Sequence, residues 1–92
     1  MTNAHMYMLN IKESRATAMT DMVGDKIVDT VRAFDTGRWE TGICNKSGHW
    51  IIVEEYPDAE EAMEGHAEWI HKIIVNPGVE FTDIFKERFY ND

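Results

Sequence analysis

Cysteine occurs once in this chain and proline twice, and nine basic residues stand against seventeen acidic ones. The lone Cys44 excludes an internal disulfide framework and any CxxC zinc or redox motif, which fits a reducing compartment. No Lys or Arg stands near it except Lys46, so it reads as a small core residue rather than a reactive thiol. No apolar run approaches the roughly 20 residues that span a bilayer, and the first eight residues lack a basic region followed by an apolar stretch. The expectation is a chain with no membrane span and no secretory leader. A formal charge of −8 repels phosphate backbones and anionic lipid, so direct binding to nucleic acid or membrane is disfavoured. Glycine-rich phosphate loops, nucleophile elbows and calcium loops are all missing.

No repeat, low-complexity tract or linker interrupts the chain, and Pro57 and Pro77 both fall at element boundaries. One α+β domain covering residues 1–92 is expected. A chain of this length buries only about two-thirds of the surface its unfolded form exposes, which leaves little core for an internal active site.

Ala16, Met19 and Val23 recur at helical spacing before Gly24, which predicts a helix over roughly residues 12–23. Residues 26–34 carry both a helical stripe and β-branched content; the turn at Asp35-Thr36-Gly37 favours a strand. Residues 38–44 and 49–56 then form a hairpin across Asn45-Lys46-Ser47-Gly48. The result is a three-stranded antiparallel meander. Strand alternation assigns Trp50, Ile52 and Tyr56 to one face of the last strand and Ile51 and Val53 to the other.

Pro57-Asp58-Ala59-Glu60-Glu61 is a helix start, with Asp58 as N-cap and Glu61 three residues on. The buried stripe reads Ala59, Ala62, Met63, His66, Ile70, Ile73 and Ile74, and Asn76-Pro77-Gly78 stops the helix. Phe81, Ile84, Phe85 and Phe89 mark a second, shorter helix. The overall order is α-β-β-β-α-α, the meander being packed by an acidic amphipathic helix.

From Ser47 to His71 no Lys or Arg occurs, while Glu54, Glu55, Asp58, Glu60, Glu61, Glu64 and Glu68 do. Two readings of this segment compete. Glu60, Glu61, Glu64 and Glu68 form either a solvated face or a docking surface for a basic protein, with a carboxylate row imitating phosphate spacing. Gly65 and His66 are either packing residues, with the imidazole bonded to a backbone carbonyl, or part of a site. In the second case His66 is a ligand or general base beside Glu40 or Glu54, with His49 joining from the hairpin. His66 and His71 are five apart and diverge around a helix, so no metal site and no cofactor is expected.

Trp39-Glu40-Thr41-Gly42-Ile43, the strand Trp50 to Tyr56, and Asp58, Glu61, Ala62, Gly65, His66 and Trp69 in the pattern D-x-x-E-A-x-x-G-H-x-x-W together resemble a family of small proteins of tailed bacteriophages and prophages. The likeness covers roughly residues 25–75. It departs at the hairpin, where the family has a His-Pro pair and a longer polar loop. The resemblance implies a phage-type accessory protein, working in the bacterial host cytoplasm or in the virion, and it supplies no activity. The element order also matches double-stranded-RNA-binding domains, but Asp58, Glu60 and Glu61 stand where those need basic residues. The leading expectation is therefore a non-enzymatic protein that binds a phage or host protein and self-associates through Phe81, Phe85 and Phe89 or one sheet face. The competing expectation is a small-ligand binder or hydrolytic enzyme built on His66, Glu40 and Glu54.

Overall fold

Val23-Gly24-Asp25-Lys26 reverses the chain in a two-residue turn, with Gly24 at φ +65° in its first central position. That positive φ suits the tight turns that join twisted antiparallel strands, and it pairs the segments on either side. The computed structural model describes residues 18–85. Within them β1 (Met19–Val23), β2 (Lys26–Arg32), β3 (Trp39–Cys44) and β4 (Trp50–Tyr56) form one antiparallel sheet in the order β1-β2-β3-β4, and α1 (Ala59–Val75) packs across it.

The α+β class and the meander of β2, β3 and β4 match the sequence reading. The helix expected over residues 12–23 does not extend through Met19–Val23, which is a fourth strand; residues 12–17 lie outside the described residues. The helical spacing of Met19 and Val23 is coincidental, because the Gly24 turn places both opposite β2. One full helix is present among the described residues. Residues 79–83 have no regular structure, helical backbone begins only at residues 84–85, and Phe89 lies outside the described residues.

One irregularity governs the sheet. In the β3–β4 ladder Thr41 pairs with Glu54 but Gly42 pairs with Ile52, so Val53 is an extra residue in β4. Such a bulge inverts the alternation of everything beyond it. Ile51 and Val53 face α1, and past the bulge so do Glu54 and Tyr56. The expected grouping of Tyr56 with Trp50 and Ile52 is therefore corrected: those two remain on the far face.

The face under α1 consists of three cross-strand rows. Val28, Ile43 and Ile51 make an aliphatic row, Thr30, Thr41 and Glu54 a polar one, and Trp39 and Tyr56 an aromatic one. Val28, Ile43, Val53 and Ile73 form the main core cluster, with Trp69, Ile70, Val79 and Phe81 against it. Trp39, Tyr56 and Ala62 form a second cluster. Burying each of the large aliphatic side chains is worth about 1.5–3 kcal/mol.

Asp58 caps α1 as expected, its carboxylate accepting the Glu61 N–H at 2.9 Å, and the Asn76 N–H closes the last turn on the Lys72 carbonyl. The buried stripe is rotated from the expected one. Ala62, Gly65, His66 and Ile73 are buried, whereas Ala59, Met63 and Ile74 are exposed. The shift follows from Gly65, whose missing side chain lets that flank of the helix settle onto the sheet. Among the described residues no helix is long and apolar enough to cross a membrane.

Candidate functional site

His66 projects from α1 into the polar row and is 4 % exposed. Its Nδ1 lies 2.7 Å from Thr30 Oγ1 and its Nε2 lies 2.8 Å from Asp21 Oδ2. The chain of contacts continues across the sheet. Thr30 Oγ1 meets Thr41 Oγ1 at 2.7 Å, Thr41 Oγ1 meets the Tyr56 hydroxyl at 2.9 Å, and Tyr56 stands 3.2 Å from Glu54 Oε1. Glu54 Oε1 also accepts the Trp69 indole N–H at 2.9 Å. Each strand contributes in turn: Asp21 from β1, Thr30 from β2, Thr41 from β3, Tyr56 and Glu54 from β4. His66 and Trp69, three apart on α1, stand over the two ends.

The sequence builds this arrangement locally. Thr is a good strand former, and its methyl group packs while its hydroxyl bonds, so Thr30 and Thr41 sit fully buried in a row between apolar neighbours. Their Cα atoms are partners in the β2–β3 ladder, which sets the hydroxyls face to face. Tyr56 reaches them because the Val53 bulge turns it inward and because Gly65 leaves space above its ring. Burial pushes the Tyr56 hydroxyl up to about 12; the bond with Thr41 opposes this and the Glu54 carboxylate adds to it.

Asp21, His66 and Thr30 reproduce the carboxylate–imidazole–hydroxyl order of an activated nucleophile. Thr30, however, is fully buried and its hydroxyl is already shared between His66 and Thr41. The Asp21 side chain is the solvent-facing end, with 56 % of its surface exposed.

The sequence-predicted ligand set is not brought together. Glu54 shares a face with His66 but connects to it only through Tyr56, Thr41 and Thr30. Glu40 alternates with Trp39 and Thr41 and so lies on the far face of the sheet, opposite Glu55. His49 is exposed in the turn just before β4, its backbone N–H held by the Asn45 side chain. His66 bonds two side chains rather than the expected backbone carbonyl. Among the described residues no three His, Cys, Asp or Glu side chains form a metal-binding group. Burial raises the Cys44 thiol above its ordinary range, which keeps it protonated.

The proposed interaction residues divide as well. Glu60, Glu61, Glu64 and Glu68 are all exposed on α1. Phe81 is half-buried and packs against the core at Trp69, with ring centroids 6.1 Å apart. Phe85 is half-buried and Phe89 lies outside the described residues. Apolar exposure occurs elsewhere, at Met63, Ile74 and Val75 on α1 and at Met22 and Trp50 on the far sheet face.

Sequence reasoning passed over Asp21, Thr30, Thr41 and Tyr56 as members of a site with His66. Trp39-Glu40-Thr41-Gly42-Ile43 and D-x-x-E-A-x-x-G-H-x-x-W did contain the signal. Thr41, Gly65, His66 and Trp69 belong to the network or make room for it, while Trp39 and Ala62 pack beside it. No protein-family model, curated protein or solved structure matches this chain.

Proposed function

We propose that the protein is a non-enzymatic binding module that docks the outer face of α1 on a basic surface of another protein. The carrying observation is the row Glu60, Glu64 and Glu68, spaced four residues apart and exposed, with no cation paired to it among the described residues. Like-charge pairs at this spacing cost an isolated helix about 0.2–0.5 kcal/mol each; the helix dipole offsets this at Glu60 in the first turn but not at Glu64, mid-helix between two carboxylates, and a basic partner would relieve it. Glu61 extends the row at the helix start. Carboxylates about 6 Å apart along a helix present a charge repeat close to that of a nucleic acid strand, and complementary charge speeds encounter.

The inward commitment of His66 supports a binding role over a hydrolytic one. Both ring nitrogens are engaged, and the hydroxyl that stands where a nucleophile would be is sealed from solvent. The resemblance to small tailed-phage and prophage proteins supports a setting in the bacterial host cytoplasm or the virion. Self-association through the far sheet face is a subsidiary part of the reading. Met22, Ile27, Cys44 and Trp50 are successive ladder partners there and form an apolar row across all four strands.

The test uses the full chain as bait in a bacterial lysate, beside a Glu60→Gln/Glu64→Gln/Glu68→Gln variant. Retention of basic proteins by the parent alone, with an association rate that falls as salt rises, is the expected result. Equal retention by both baits, or a rate indifferent to salt, would overturn the proposal. Light scattering that finds a monomer at every concentration would remove the self-association.

A further inference from the structure

The polar row contains more contacts than it has protons in one of its two charge states. Five links run from Asp21 through His66, Thr30, Thr41 and Tyr56 to Glu54. With a neutral imidazole, His66, Thr30, Thr41 and Tyr56 each supply one proton, which leaves one link short. Both ends are carboxylates, which accept when ionised, so the shortage falls somewhere along the chain.

We propose that this row is a two-position relay that transmits the protonation state of His66 to Glu54 and Trp69. In the first position His66 donates through Nε2 to Asp21 and accepts at Nδ1 from Thr30. Thr41 then donates to Thr30 and Tyr56 donates to Thr41, so the Tyr56–Glu54 contact has no proton. That contact is the longest of the five at 3.2 Å, beyond the usual span of an O–H···O bond. In the second position a proton has been added to Nδ1, which now donates to Thr30. Each hydroxyl turns without giving up its own proton: Thr30 donates to Thr41, Thr41 to Tyr56, and Tyr56 to Glu54. All five links are then filled, and the added charge faces Asp21.

Among the described residues the groups facing the relay are few. Asp21 stands on β1, and Tyr56 and Glu54 on β4. From β2 the charged groups on this face are Lys26, held at one end by Asp25 and the Pro77 carbonyl, and Arg32 at the other, the ladder partner of Trp39, whose Nε–H donates to the Gly37 carbonyl. On β3 the residues of this face are Trp39, Thr41 and Ile43, none of which titrates as a charge carrier. The input is accessible because the Asp21 side chain is exposed, whereas the output is a half-buried corner where Trp69 carries Lys72 over its ring at 4.1 Å. Buried chains of this kind polarise along their length, so one proton at the end reorients the whole.

The experiment follows the His66 ring nitrogens and the Trp69 indole N–H of the full chain by NMR across the pH range in which imidazoles titrate, about 5 to 8. The expected result is that the Trp69 signal shifts with the same midpoint as His66. In Thr41→Val and in Tyr56→Phe, each of which removes one hydroxyl from the middle, His66 still titrates and the Trp69 response at that midpoint falls several-fold. Thr41→Ser retains it. Tyr56→Phe keeps the ring beneath Gly65, which preserves a readable variant where Thr41→Val does not fold. A Trp69 signal that ignores His66, an undiminished response in the cut variants, or a His66 that does not change charge in the folded protein would each overturn the relay.

Discussion

A Cβ atom built on Gly65 would stand 2.3 Å from the hydroxyl oxygen and Cε1 of Tyr56. Helix and strand therefore touch at this pair without an intervening side chain, and any larger residue must displace the ring that completes the polar row.

Gly65→Ala is accordingly expected to destabilise the protein although alanine is the better helix former by about 1 kcal/mol. Overpacking costs about 1–3 kcal/mol, and the lost Tyr56 contacts add to it, so a net loss of about 2 kcal/mol is expected in chemical denaturation. A variant as stable as the parent would show that the helix can lift off Tyr56 at no cost.

Thr30 and Thr41 share one buried hydrogen bond, and each has a second partner. Thr30→Val and Thr41→Val singly leave buried groups unsatisfied, at about 1–3 kcal/mol each. The double variant removes both sides of the shared bond, so its loss is expected to fall short of the sum by about 1 kcal/mol. Strict additivity in a double-mutant cycle would mean that the two hydroxyls do not interact.

Tyr56 makes stability depend on alkaline pH. Its folded hydroxyl titrates at about 12, above the ordinary value of 10, so the folded state holds this proton more tightly than the unfolded one. The contribution is complete below pH 10 and is lost as pH rises from there through about 12, amounting to about 2–3 kcal/mol. Denaturation midpoints of the parent should fall more steeply over this interval than those of Tyr56→Phe; parallel curves would contradict the assignment.

Legibility of the fold followed the range of the forces involved. The Asp58 cap, the Asn45–Gly48 turn and the Asn76 stop are local, and each was readable from a few adjacent residues. Met19–Val23 misled because Ala16, Met19 and Val23 fall at helical spacing, whereas the two-residue turn at Gly24 settles the matter through pairing with β2. The rotated helix stripe had a different cause: glycine at position 65 carries no hydrophobicity, so a pattern of apolar residues cannot show that this flank is buried.

The candidate site was half legible. His66 stood out as a histidine in an amphipathic helix, and Glu54 was named beside it, although the two connect only through Thr30, Thr41 and Tyr56. Thr30 and Thr41 were invisible as polar partners because β-branched residues in a strand read as strand formers. Asp21, 45 residues distant in sequence, enters only through the sheet order. Glu40 and His49 were drawn in by residue type alone, and strand alternation removes the first while exposure removes the second.

The extra residue at Val53 acts as a register check on assembly. A β4 paired without it would turn Glu54 and Tyr56 outward with Ile52 and offer α1 the side chains of Val53 and Glu55, against which Gly65 and His66 have nothing to fit. Strand pairing and helix docking thus verify one another, since a sheet closed one residue out of step yields a surface that the helix rejects. A single inserted position thereby makes cooperative closure of a small domain conditional on the correct ladder.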